Sequence, residues 1–472
     1  MKFFLTFGAM MCASTLFAQT ATFTQFFADK TLRVDYVHTG TATREFISLD
    51  QAYEEGVWAG SQRNLIDTLN RGKYLVKVFD VATNQLIYSR GFSSIYGEWE
   101  TTQEAQDEKF RSFHESVLLP FPRRPVQVVL AKRDNWMHFQ DIFSTVIEPD
   151  SRFVNREKRG GMFKVIELLV NGSPHEKVDL LILGDGYSKD EMGKFRKDAE
   201  RWKDIILRTS PFKENATRLN IRAIEVISAD SGIDEPRKNL WRNTALGCSY
   251  NSFDSPRYVL TYENRAIRDI AAGAPYDFIY IMTNARRYGG GGIYGLYATG
   301  HTAEENPDLE WQLEYMITHE FGHSFAGLGD EYYSSSVSYV DFYPAGVEPW
   351  EPNVTALLNP AELKWKSFVD KNTPLPTPWS KAHYDSLEAV RATWDRSKAG
   401  YYEKWDNLRA QQLEKMRQVR YYGKVGAFEG AGYSAAGLYR PAVDCRMFSR
   451  SLTPYDPVCS AAIEQVIKFY SE

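Results

Sequence analysis

The chain has 472 residues, a formal net charge of −5, 43% hydrophobic and 25% charged residues. It is long enough for two or three globular domains, and its balance excludes a strong general pull towards nucleic acid or an anionic membrane surface. After the N-terminus no run reaches the roughly 18 apolar residues that a membrane-crossing helix needs, so the mature chain is expected to be soluble.

In chain order, Lys2 followed by the largely apolar residues 3–17 and the small-residue step Ala18-Gln19 reads as an export signal over 1–18. It predicts a secreted, periplasmic or cell-surface protein. Cys12 is preceded by the bulky Met11, which argues against lipid attachment there. Residues 19–160 carry short runs of alternating or β-branched character, at 32–37, 74–80 and 125–131, separated by turn residues. This spacing predicts an all-β sandwich, with its boundary in the polar stretch 149–161.

Residues 161–472 alternate strands and helices. A buried strand is predicted at 178–183, an amphipathic helix at 189–207, and further strands at 219–227 and 276–282. An α/β (α+β) domain with a mixed sheet follows. Asp185 and Asp190 lack the spacing and closing glutamate of an EF-hand, so a structural turn is expected there. The run Gly289-Gly290-Gly291-Gly292 lacks the Lys-Ser/Thr of a phosphate loop.

The strongest chemical signal is His319-Glu320-Phe321-Gly322-His323. Residues four apart share a helix face, so both imidazoles can reach one cation, and Glu320 at the edge of that face can act on water. Leu313, Ile317, Phe321, Phe325 and Leu328 draw one apolar stripe. Each histidine lies two positions, or roughly 200°, from a stripe residue, so the imidazoles turn away from the core. Gly327 and Gly329 stop the helix and swing the chain back. Asp330 is then the first choice for a third ligand, with Glu331 as the fallback or a hydrogen-bonding partner. Three protein ligands leave one position open on a single Zn2+ per chain, as a catalytic zinc requires. A thermolysin-like arrangement would instead use a more distant glutamate, Glu348 or Glu351. Residues 359–420, rich in charge and helix formers, read as a helical insertion.

The run HEFGHSFAGLGDEY resembles the signature of the IgA-peptidase family of metzincin-like metallo-endopeptidases. Metzincins commonly place a third ligand six residues after the second histidine; here the candidate aspartate stands seven after it. The similarity extends over roughly 165–472. It implies a methionine turn at Met447, in Asp444-Cys445-Arg446-Met447-Phe448, after the glycine-rich approach from Gly426 to Tyr433. It also implies a substrate-pairing sheet edge just before the active helix, placed at 293–298 with Ile293, Tyr294 and Gly295 as candidates. Cys445 and Cys459 bracket the methionine turn fourteen residues apart, and in an exported chain a disulfide between them would contribute roughly 3 kcal/mol. Cys248 would remain unpaired. With no C-x-x-C pair, a cysteine-ligated zinc finger is not expected.

The resulting expectation is a secreted zinc endopeptidase that hydrolyses extracellular proteins or glycoproteins, immunoglobulin A among the family's substrates. Glu320 serves as general base, and Tyr332 or Tyr433 steadies the oxyanion. The rival is a non-catalytic zinc-binding adhesin or glycoprotein-binding protein with the β domain as its recognition module. Asn353-Val354-Thr355 matches a glycosylation acceptor, but the bacterial-looking export signal argues against its use.

Overall fold

The computed structural model describes residues 22–303, 310–334, 343–395, 398 and 400–472. The export segment 1–18 and Cys12 lie outside the described residues. Eight strands build the N-terminal part: β1 (Phe27–Gly40), β2 (Glu45–Glu55), β3 (Tyr74–Asp80), β4 (Leu86–Phe92), β5 (Arg111–Pro122), β6 (Val126–Arg133), β7 (Phe139–Ile147) and β8 (Val154–Asn155). They form two four-stranded sheets, ordered β5-β1-β2-β8 and β4-β3-β6-β7. Along β3 buried and half-buried residues alternate, the mark of a strand with one face on a core. Val34, Tyr36, Val76, Val78, Val117 and Val128 fill the space between the sheets. A β sandwich is therefore present where alternation predicted it.

One buried charge in this domain is unusual. His38 Nδ1 lies 3.1 Å from Glu115 and its Nε2 3.0 Å from Glu45. Burial opposes a charged imidazole, but the two carboxylates outweigh it and raise its pKa to about 8. A raised folded-state value stabilises fully below about 6.5 and is lost as pH climbs through about 8, a window worth about 2 kcal/mol. Urea midpoints measured at pH 6 and pH 9 should differ accordingly, and His38→Gln should flatten that difference.

The second domain is organised by β9 (Val165–Leu169), β10 (Val178–Asp185), β11 (Leu219–Ile224), β12 (Phe278–Thr283), β13 (Gly290–Ile293) and β14 (Tyr297–His301), in the order β13-β14-β12-β10-β11-β9. The four inner strands are parallel and both edges antiparallel. All eight residues of β10 are buried, as a central strand covered on both faces requires. One face carries the helices Met192–Arg208, Trp311–Ala326 and Pro457–Ser471, packed through Trp202, Phe321, Phe325 and Ile463. The other carries the helix Asn264–Ala271 and, unusually, the β domain itself, through Ile95, Tyr96, Trp99 and Phe113. Within 359–420 the helices Lys381–Ala392 and Tyr401–Arg417 form, and Trp365 and Trp379 tie the segment down by donating to the carbonyls of Gly426 and Glu429. A short hairpin, β15 (Phe428–Ala431) and β16 (Ser434–Arg440), follows.

The two domains are fastened at the helix that carries the histidines. Arg71, 2% exposed, donates to the carbonyls of Ala326 and Ala462, each at 2.9 Å. The carbonyl of Ala326, the last residue of its helix, is one that the helix end leaves unpaired, and a cation against it is favourable. Ser93 N–H also donates to the carbonyl of Tyr294 at 2.8 Å, just after β13.

Candidate metal centre and its cleft

The helix Trp311–Ala326 buries Leu313, Ile317, Phe321 and Phe325, the predicted stripe. It ends at Gly327, whose φ of 62° is the left-handed conformation glycine adopts without strain, and whose N–H returns to the carbonyls of Gly322 and His323. That turn delivers Asp330 to the histidines. His319 Nε2 lies 3.2 Å from His323 Nε2, and Asp330 Oδ1 lies 3.0 and 3.3 Å from the two nitrogens. Ligands about 2.0–2.2 Å from a tetrahedral cation stand roughly 3.3–3.5 Å from one another. The three atoms thus outline one face of such a coordination sphere.

Hydrogen bonding fixes which ring atoms point inward. His319 Nδ1 stands 3.2 Å from the carbonyl of Arg446, and His323 Nδ1 stands 2.5 Å from that of Leu328. A carbonyl can only accept, so each Nδ1 carries the proton and each Nε2 turns a lone pair to the centre. Asp330 Oδ1 is buried without a hydrogen-bond donor, while Oδ2 accepts from the Tyr433 hydroxyl. An orphaned carboxylate oxygen facing two imidazole lone pairs suits a divalent cation. Burial works against charge on His323, yet the Asp330 carboxylate raises its pKa to about 9. Burial likewise opposes ionisation of Asp330, but the histidines hold it well below the ordinary carboxylate range. The centre therefore favours positive charge, which a bound cation would supply.

Met447 lies fully buried beneath this helix. A Cβ on Gly322 would come within 3.2 Å of its sulfur, so the glycine inside the histidine motif makes room for the methionine. Its carbonyl accepts from Glu331 N–H at 3.0 Å. The residue before it supplies the carbonyl that orients His319. Glu331 itself turns away from the histidines, towards Asn353 at 2.9 Å and Cys459 at 3.2 Å. Glu348 pairs with Lys364 and Glu351 with the Tyr343 hydroxyl, so Asp330 is the carboxylate brought to the histidines among the described residues. Cys445 and Cys459 meet as buried thiols with sulfurs 3.8 Å apart.

Two matches cover the chain. The family model described as IgA Peptidase M64 matches residues 166–467, and that of the Peptidase M64 N-terminus matches 22–144. The chain belongs to the IgA Peptidase M64 family. No curated protein matches it.

In this M64 peptidase the sheet edge differs from the expected one. The edge strand is Gly290–Ile293; Tyr294 and Gly295 lie in the turn after it, and Tyr297–His301 is the next strand inward. The backbones of Tyr294 and Gly295 are already engaged, by Ser93 N–H and by the carbonyl of Ser324. The glycines serve close packing. A Cβ on Gly292 would stand 2.2 Å from the carbonyl oxygen of Glu320 and 2.9 Å from His323 Cβ, and one on Gly290 would stand 3.1 Å from Glu320 Cγ. Gly292→Ala must push the active helix outward. Weaker metal retention and a loss of about 1–3 kcal/mol in stability are expected, readable from metal content and urea unfolding.

A cleft of about 370 Å³ opens over the centre, lined by Glu320, Tyr332 and Tyr433. Lys73, Glu98, Lys132 and Arg133 of the β domain form its far wall, a role that no local pattern announced. Arg257 also reaches the cleft, engaging the Tyr332 hydroxyl; as a lone arginine in a loop it left no sequence signal. Glu320 has its carboxyl raised above the ordinary range by burial, against the pull of the two histidines.

Proposed function

We propose that this M64 peptidase is an exported zinc-dependent endopeptidase acting on extracellular proteins or glycoproteins, immunoglobulin A among the substrates to test. The observation that carries the reading is the triangle of His319 Nε2, His323 Nε2 and Asp330 Oδ1, sized for a tetrahedral ion with one side open to the cleft. Zinc bound there supplies a Lewis acid that activates water and polarises the scissile carbonyl. Glu320, on the cleft side of the histidines, takes the proton from the attacking water and returns it to the leaving amine. Tyr433 is committed to Asp330, so oxyanion contact falls to Tyr332, whose hydroxyl Arg257 orients. Extended substrate would pair with β13 at the half-buried Gly292, because Gly290 already pairs with Arg257 and Val259.

A protein-digestion assay on chelator-treated, refolding-competent enzyme tests this directly. Cleavage should vanish with the metal and return with stoichiometric zinc. Full cleavage by a folded, metal-depleted sample would end the reading and leave the adhesin alternative.

A further inference from the structure

Beneath the catalytic centre lies a second group of potential ligands that the peptidase chemistry does not use. Cys445, Cys459, Glu331 and Asp456 each bring one ligand atom within 4.8 Å of the others. Their exposures are 0, 0, 0 and 6%. Glu331 Oε1 accepts from Asn353, and Asp456 Oδ1 caps the final helix through the N–H groups of Val458 and Cys459. Their other oxygens, Glu331 Oε2 and Asp456 Oδ2, are buried with no hydrogen-bond donor. A buried carboxylate oxygen left without a donor is costly, and here two belong to carboxylates that gather with a pair of sulfurs, Glu331 Oε1 standing 3.2 Å from Cys459 Sγ.

The sulfur geometry points the same way. In a tetrahedral site with metal–sulfur bonds of about 2.3 Å, two thiolates stand roughly 3.8 Å apart; here the separation is 3.8 Å. Cys445 Sγ also receives the backbone N–H groups of Met447 at 3.5 Å and Asp456 at 3.4 Å. Burial and the two carboxylates push the Cys445 thiol up, and these donors act against that, towards the thiolate that a bound cysteine requires. A disulfide would still leave both carboxylate oxygens without partners. We propose that Cys445, Cys459, Glu331 and Asp456 form a second, closed structural zinc site under the catalytic one, in place of the disulfide expected from spacing. Four protein ligands and complete burial leave no position for water, so this ion takes no part in hydrolysis.

Its place explains its use. Glu331 adjoins Asp330, and Cys445 is two residues before Met447, with Arg446 between them orienting His319. One ion therefore pins both the third-ligand loop and the methionine turn. The absence of a C-x-x-C pair concealed it, since the ligands come from three separate segments.

Elemental analysis of the purified full chain should find about two zinc ions, falling to about one in His323→Ala and to about one in the double variant Cys445→Ser/Cys459→Ser. Zinc-edge absorption supplies the independent reading, because the catalytic ligands contain no sulfur. A sulfur shell at about 2.3 Å should persist in His323→Ala. If that variant holds no zinc, or holds zinc with nitrogen and oxygen neighbours only, the second site does not exist. Wild-type cysteines that resist alkylation after metal-free denaturation, with the mass of a disulfide, would equally overturn it. Should the double serine variant fail to fold, His323→Ala and the alkylation test still decide. Either failure leaves the peptidase reading intact, which stands on different ligands.

Discussion

Glu320→Gln is expected to retain the catalytic metal and lose about 10²–10⁴-fold in kcat. The amide keeps the shape of the side chain packed against the Gly290 strand but cannot accept the proton from attacking water. The two histidines and Asp330 remain, so elemental analysis should match the unmodified chain. His323→Ala should behave differently, losing catalytic metal and activity together, because it deletes one corner of the 3.0–3.3 Å triangle. The contrast matters more than either loss alone. A Glu320→Gln enzyme that turns over at the original rate would move the base elsewhere in the cleft, with Glu351, which lines the same cleft, next to be tested.

Much of this centre was legible because helix geometry is local. The i, i+4 histidines, the stripe two positions away and the glycine stop each follow from a few consecutive residues, and the helix Trp311–Ala326 obeys all three. The strand at Tyr74–Asp80 was readable for the same reason, since its period is written in its own residues. What was misread depended on partners distant in sequence. In sequence the glycine run is weighed only as a phosphate loop and the sheet edge falls after it, yet the run is the edge strand, and its missing side chains are explained by a helix some thirty residues later. The wall of the cleft comes from Lys73, Lys132 and Arg133, whose charges look like solvated faces when only their neighbours in sequence are considered. The spacing of Cys445 and Cys459 suggested a bridge, but nothing in that interval reveals the distant Glu331 gathering with Asp456 and the two sulfurs.

Asp330→Asn should cost the catalytic site its metal at ordinary zinc concentrations, because a neutral amide replaces the anionic corner while both imidazoles stay. Tyr433 offers a finer test of how that corner is held. Its backbone sits at a φ of 63°, unusual for a bulky residue. The neighbouring Gly432 N–H and its own N–H bind the carbonyls of Asp330 and Tyr332, at 2.9 and 3.1 Å. The hairpin turn thus clamps the ligand loop twice through its backbone and once through the hydroxyl on Asp330 Oδ2. Tyr433→Phe removes only the last of these contacts. Hydrogen bonds of this kind to a ligating carboxylate are typically worth about 10–100-fold in metal affinity. Competition with a chromogenic chelator should show a drop of that size for Tyr433→Phe and a far larger one for Asp330→Asn. If Tyr433→Phe instead keeps full affinity but lowers kcat, the hydroxyl acts on the substrate, and the oxyanion role passes from Tyr332 to Tyr433.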